Sequence, residues 1–297
     1  MSHGIVLITG ITGFIATHTA LAFLEAGYSV RGTARTATKA ERWIAQFPAH
    51  KDRFVYAVVS DMVSPGAFDD AVKGCDFIVH IASPTHWNQN DNEADLLIPA
   101  INGTKYLLFA TKVEPRIKRV NPVTFDEAKA SDNAALVYRA SKALVERAFW
   151  NYIKDEKPAW AGSTICPCRT FAPPIQPLDS LSALNVSVAF MWDMANGKYK
   201  AGVPKVGSPV YVDARDVALA HVRAIEREVA KGQRYLLIGG TYVPDQFIDT
   251  IHHHFPELRD NLPPFDLSKV QKELGIEFTS IEIMVVDTIR FMLSLKN

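Results

Sequence analysis

Cysteine is scarce: the 297 residues hold three, Cys75, Cys166 and Cys168. An odd number without a framework spacing excludes a disulfide scaffold and fits a reducing, cytoplasmic setting. Cys166-x-Cys168 leaves two readings open, a redox pair or buried free thiols. No apolar run reaches the ~18 residues of a transmembrane helix, so no membrane span is expected. The first strand begins so close to Met1 that no signal peptide is expected either. An excess of one charge is also lacking, because 32 Lys and Arg balance 32 Asp and Glu. That excludes the basic footprint of a nucleic-acid or membrane-surface binder. Internal repeats and low-complexity linkers are absent.

What is there is an ordinary globular composition, 48% hydrophobic and 22% charged, with ample material for a large core. The chain is organised around Ile5-Val6-Leu7-Ile8-Thr9-Gly10-Ile11-Thr12-Gly13-Phe14-Ile15-Ala16. Four apolar residues in a row describe a strand buried on both faces, as in a parallel sheet. A small-residue turn and a helix follow. Gly10 permits a tight turn at the strand end. Gly13 lets a pyrophosphate approach backbone N–H groups where the helix dipole favours an anion. Ala16 takes the third small position, where helix and strand pack closely. Such a pattern is a dinucleotide fingerprint only between a strand and a helix, and that is where it lies.

The second strand, over residues 28–35, ends without the carboxylate that binds ribose hydroxyls in NAD-specific folds. It ends on Arg35, with Lys39 and Arg42 following, a cationic strand end suited to a 2′-phosphate; an exposed basic loop is the plainer alternative. Asp61 follows the third strand (residues 53–59). Its carboxylate is placed to accept from an adenine amino group with Met62 packed on the ring, or to cap the next turn. The fourth strand leads through His80 to the small-residue exit Ala82-Ser83-Pro84. That is the crevice side of an open α/β sheet, and His80 is expected in a supporting role. Strands alternating with helices predict a doubly wound parallel sheet.

A long helix over residues 135–152 carries Tyr138-Arg139-Ala140-Ser141-Lys142. Tyr and Lys at i and i+4 share a helix face, so an ammonium can lower the pKa of a phenol. A tyrosine tuned this way can deliver a proton to a carbonyl oxygen as hydride reaches the carbon. Asp213 and Asp216 are expected to cap a helix over residues 214–228. The run His252-His253-His254 does not suit a metal, since adjacent histidines on a helix point apart.

With these pieces in hand, the chain resembles the extended short-chain dehydrogenase/reductases, in the dihydroflavonol-4-reductase-like branch that includes methylglyoxal and aldehyde reductases. The likeness is carried by residues 9–16, 31–35, 82–84, Tyr138 to Lys142, Pro173-Pro174-Ile175-Gln176-Pro177-Leu178, and residues 212–218. It implies a Rossmann-type α/β fold and NADPH-dependent reduction of a small carbonyl compound. It carries the proton donor's role to Tyr138 and the assisting, ribose-holding role to Lys142. Gly10, Thr12, Gly13, Phe14, Ile15, Arg35, Lys39, Asp61, Met62, Ala82 and Pro167 are then the expected cofactor contacts, with no metal. One NAD(P)-binding domain is expected over residues 1–297, with a small C-terminal substrate lobe drawn mainly from 173–205 and 240–297. A monomer or dimer is expected.

The resemblance also exposes departures. The family completes its fifth strand with a serine-bearing run that hydrogen-bonds the substrate carbonyl. Here Val120 meets Asn121-Pro122-Val123-Thr124 almost at once, with no serine in place. Thr124 is the one candidate substitute, and losing a positioned oxyanion donor costs ~10²–10³ in rate. Proline is poor in a central strand, so a broken fifth strand with open edges beside it is expected. The alternative is therefore a catalytically weak or inactive NADPH-binding protein. The chain is also short against the family near Pro263-Pro264. Arg169 stands where the family is apolar, a charge expected to disturb the nicotinamide pocket.

Overall fold

The apolar run at the start of the chain is buried on both faces in the structure, a computed structural model. It describes residues 3–83, 98–113, 119–122, 134–195, 198–199, 209–253 and 272–295, without the side chains at 113, 119–122, 134–140, 245, 248, 249, 252 and 253. The opening strand β1 (Ile5–Ile8) leads into α1 (Phe14–Glu25), β2 (Ser29–Ala34), α2 (Ala37–Gln46) and β3 (Phe54–Val58). A short α3 (Asp69–Val72), β4 (Phe77–His80), α4 (Ile98–Ala110), β5 (Arg119–Pro122), α5 (Ala134–Glu156) and β6 (Ala161–Gly162) follow.

These strands form one parallel sheet in the order β3-β2-β1-β4-β5-β6. The chain winds outwards from β1 through β2 and β3, then returns to its other side with β4. The expected doubly wound α/β sheet is therefore present, with its switch point between β1 and β4.

Alternation along the strands builds two cores. Val6 and Ile8 of β1 and Phe77 and Val79 of β4 pack with Phe23, Leu24 and Trp43. Leu7 and Ile78 point the other way, into Leu107, Leu108 and Phe149. Each of these large side chains contributes ~1.5–3 kcal/mol by leaving water, which explains a sheet with helices on both faces.

The fifth strand corrects an expectation. It is not broken: Asn121 and Pro122 complete it, opposite Val79 and His80 of β4. Pro122 lies at the strand's last position, where a missing N–H removes at most one ladder bond. The stretch over residues 161–167 forms two strands, divided at buried Ser163, whose hydroxyl donates to the Ala230 carbonyl. Its first half closes the sheet as β6, and its second half, β7 (Thr164–Pro167), pairs with β10 (Arg234–Leu237).

Beyond β7, a three-stranded sheet of β8 (Arg169–Phe171), β9 (Val210–Asp213) and β11 (Gly240–Thr241) carries a second group of helices. They are α6 (Val186–Ala195), α8 (Pro244–His253) and α9 (Ile281–Ser294). Phe171, Met191, Tyr242, Phe247 and Met284 form their core. The remaining helix, α7 (Ala214–Glu226), packs on the main sheet. Asp213 caps α7 as expected, accepting from the Arg215 N–H at 2.7 Å. Asp216 does not cap its own helix. It reaches across to Thr279, accepting from its backbone N–H at 2.7 Å and its hydroxyl at 3.0 Å. Burial raises the Asp216 pKa to about 6. Arg215 adds a second tie between Asp213 and Asp287, at 2.8 Å each.

Gly32 shows how closely β2 fits the first turn. A Cβ there would lie 2.7 Å from Ile11 Cβ and 2.8 Å from the Phe54 ring. Gly32→Ala is expected to cost about 1–3 kcal/mol in urea unfolding through overpacking; an unchanged midpoint would contradict this packing.

Candidate active site

The crevice begins where β1 ends. Gly10 adopts φ +69°, the left-handed region open to glycine, and a Cβ on it would lie 3.1 Å from that of Ala82. The Gly10 N–H donates to the Thr33 hydroxyl at 3.0 Å, and the Ile11 N–H to the Thr33 carbonyl at 2.8 Å. The turn is thus fixed to the end of β2 on one side and to the exit of β4 on the other. Gly13 is the N-cap of α1, and no side chain caps that helix. The side chain of Phe14 packs against the cluster of Val188, Trp192 and Met292, and that of Ile15 against a second core. The first-turn N–H groups therefore face a site without a side-chain acceptor, as a bound phosphate requires.

Thr9 locks the turn. Its hydroxyl oxygen accepts from the Ile81 N–H at 3.0 Å and the Ala82 N–H at 2.9 Å. With both lone pairs engaged, its proton goes to Nδ1 of His80, 2.9 Å away. The neutral tautomer then donates from Nε2 to the Thr104 hydroxyl at 3.1 Å, and that hydroxyl donates to the Ala100 carbonyl at 3.2 Å. Burial, with the Lys142 charge nearby, lowers the His80 pKa to about 3. His80 is therefore a support, not an acid. Thr9 and Thr104 were not singled out from sequence; the available signal was a hydroxyl immediately before the first glycine.

Arg35 and Lys39 are exposed at the end of β2 and the first turn of α2, with Thr36 between them as the N-cap. Arg42 is held elsewhere: its guanidinium meets Asp179 at 2.5 Å. The Val59 N–H donates to the Ala34 carbonyl, which sets Asp61 beside the same strand end. Asp61 caps its turn, accepting from the Val63 N–H at 3.0 Å and the Ser64 hydroxyl at 2.6 Å. These bonds hold its carboxyl below the usual range. Met62 packs on α4, where a Cβ on Gly103 would collide with its methyl. Gly10, Arg35, Asp61 and Ala82 are thus gathered at the carboxyl ends of four adjacent strands.

Across the crevice, α5 carries positions 138 and 142 on one helical face. Lys142 is buried, and burial lowers its pKa to about 7. The side chain of Tyr138 lies outside the described residues, as do Pro84 and Thr124. Pro167 ends β7, opposite Leu237. The guanidinium of Arg169 lies over Phe190, 5.5 Å from its ring centroid.

The sequence profile of the NAD dependent epimerase/dehydratase family matches residues 6–239. The chain belongs to that family. Among its relatives, the ketoreductase azaE of Aspergillus niger is 36% identical over 97% of this chain and 97% of its own. A putative NADPH-dependent methylglyoxal reductase, GRP2 of Candida albicans, is 32% identical over 89% of this chain and 86% of its own. The solved structure of Candida albicans Gre2 in complex with NADPH superposes with a TM-score of 0.87 at 29% identity, covering 99% of both chains. The azaE alignment runs over 328 positions, 31 more than the 297 residues here, so this family member lacks residues that its relative has.

His80 and the fully buried His221 both carry pKa values near 3, His221 through burial alone. The unfolded chain, with histidine near 6.5, binds more protons between those values. Their stabilisation is therefore complete above pH 6.5 and lost as pH falls toward 3, at about 1.4 kcal/mol per pH unit for each proton. Among the described residues His221 has no hydrogen-bond partner. His221→Phe is expected to remove one proton's share of the slope in urea unfolding between pH 6.5 and 5; an unchanged slope would contradict a neutral buried imidazole.

Proposed function

We propose that the chain is an NADPH-dependent reductase of aldehydes or ketones. The observation that carries this is the uncapped start of α1, framed by Gly10 and Gly13 at the switch point, with Lys142 buried near His80 across the crevice. The reductases among its relatives, and the NADPH held by Gre2, support it.

The residues present fit the cofactor. The Gly13 N–H donates to the Gly10 carbonyl at 2.8 Å, which closes the turn, so the backbone N–H groups of Phe14 and Ile15, with Thr12, would hold the pyrophosphate where Gly13 allows close approach, and Arg35 and Lys39 would take the 2′-phosphate. Asp61 and Met62 border the adenine, and Ala82 and Pro167 flank the path to the nicotinamide. When bound, NADPH supplies the hydride that reduces the carbonyl carbon. Tyr138 gives its phenolic proton to the carbonyl oxygen. Lys142 holds the nicotinamide ribose and, as an ammonium, lowers the phenol's pKa. With its own pKa near 7, it carries that charge most fully below neutrality. Thr124 is the sequence candidate for the hydroxyl that would steady the carbonyl oxygen. Residues 1–297 act as one domain, whose substrate lobe comes mainly from 173–205 and 240–297.

A second reading, an NADPH-binding protein with weak or no turnover, is favoured by the shortened stretch after Val120 and by the surplus positions in the relative. NADPH quenching of tryptophan fluorescence, beside NADPH oxidation with small carbonyl compounds, separates the two. Binding with turnover that Tyr138→Phe abolishes, while affinity stays, supports the reductase; binding without turnover rejects it. Arg35→Ala is expected to weaken NADPH at least tenfold more than NADH, as loss of a charge-assisted hydrogen bond of about 1.5–3 kcal/mol implies. Equal losses would sink the 2′-phosphate assignment.

A further inference from the structure

Arg169 is a half-buried cation whose charge nothing in the described structure answers. It opens β8 two residues after Pro167 closes β7, on the side where ligands lie in open α/β sheets. Other half-buried arginines spend their N–H groups. Arg31 donates to the Ala71 carbonyl, Arg53 to the Leu24 carbonyl, and Arg227 to the Glu273 carbonyl. Arg215 pairs with two carboxylates. Among the described residues, no carboxylate or carbonyl takes the N–H groups of Arg169.

Its neighbours among the described residues include two aromatic side chains. Phe190 of α6 lies beneath it, and Tyr211 is its register partner on β9. Two titratable groups that feel its charge stay uncharged at neutral pH. Burial pushes the Cys168 thiol up to about 12 and the Tyr242 phenol above its ordinary value. The Tyr242 hydroxyl is itself buried and without a hydrogen-bond partner among the described residues. A guanidinium partly removed from water calls for a counter-charge. Contact with a ring engages its face and leaves the fork of N–H donors, the geometry that matches a carboxylate.

We infer that Arg169 is a specificity residue that takes the carboxylate of an anionic carbonyl substrate, so the substrate class is an oxo acid. This rests on the reductase reading above, and the experiment has one arm that needs no turnover. The probes are 4-oxobutanoate and its methyl ester as carbonyl compounds, and butanoate against butanamide as unreactive ligands, all with NADPH present. The wild-type protein is expected to prefer the acid over the ester in kcat/KM. Arg169→Met is expected to reduce that preference about 10- to 100-fold, the loss falling mainly on KM for the acid, in line with a charge-assisted hydrogen bond. Arg169→Lys, which keeps the charge but not the fork, is expected between the two.

Butanoate, but not butanamide, is expected to change tryptophan fluorescence saturably, with Trp192 two residues from Phe190 as a reporter, and Arg169→Met to abolish the response. Four results would overturn the proposal: a wild-type preference for the ester; equal losses for acid and ester in Arg169→Met; full retention of the acid preference in that variant; or no saturable butanoate response in the wild type. Absence of any carbonyl reduction together with a butanoate response lost in Arg169→Met would reject the reductase reading and retain the anion site.

Discussion

The hydroxyl of Thr9 is the small interaction on which the crevice depends. One oxygen accepts from two N–H groups at the exit of β4, and its O–H donates to a neutral, buried imidazole. Oxygen and proton are both committed, so the glycine turn has one place to sit. The turn in turn carries the start of α1, and β2 holds it from the other side through Thr33. A buried polar chain of this kind is rigid only when every member is satisfied. The relay ends on the Ala100 carbonyl of α4 without an orphan donor.

A second set of contacts ties the first two helices to the stretch after β8. The stretch after β8 is fastened to α1 by His18 on the Pro173 carbonyl, at 2.9 Å, and to α2 by Gln46 on the Ile175 carbonyl, at 2.7 Å. Arg42 and Asp179 complete the strap. The same stretch leads into α6, which carries Phe190 and Trp192. Phe14, on the first turn of α1, packs against that helix. The start of α1 and α6 therefore share packing atoms, and Asp216 with Thr279 joins the C-terminal segment to α7.

Much of this was legible in the sequence because it rests on local patterns. Four apolar residues, a small-residue turn and a helix can hardly be arranged otherwise, and alternation with further helices orders the parallel sheet. The cationic end of β2 was legible for the same reason. What sequence left open depended on partners distant in the chain. Asp61 had two candidate roles, and the structure displays the cap, since Val63 and Ser64 are its nearest donors. Asp216 looked like a helix cap until Thr279, 63 residues on, was seen to claim it. Arg42 looked like part of the basic strand end, yet Asp179 holds it from 137 residues away. Pro122 suggested a broken strand, but its position at the strand's last residue makes it tolerable. A missing N–H matters only where a ladder bond was due, and sequence alone does not locate that point.

In the proposed reductase, one crevice, at the carboxyl ends of β1 and β4, takes the dinucleotide with its reactive ring toward α5. A crystal structure of the chain grown with NADPH tests it most directly. The pyrophosphate is expected on the N–H groups of residues 14 and 15, the 2′-phosphate within reach of Arg35 and Lys39, and the nicotinamide ribose on Lys142. A ring turned away from α5, or a pyrophosphate bound anywhere but the α1 turn, would contradict it.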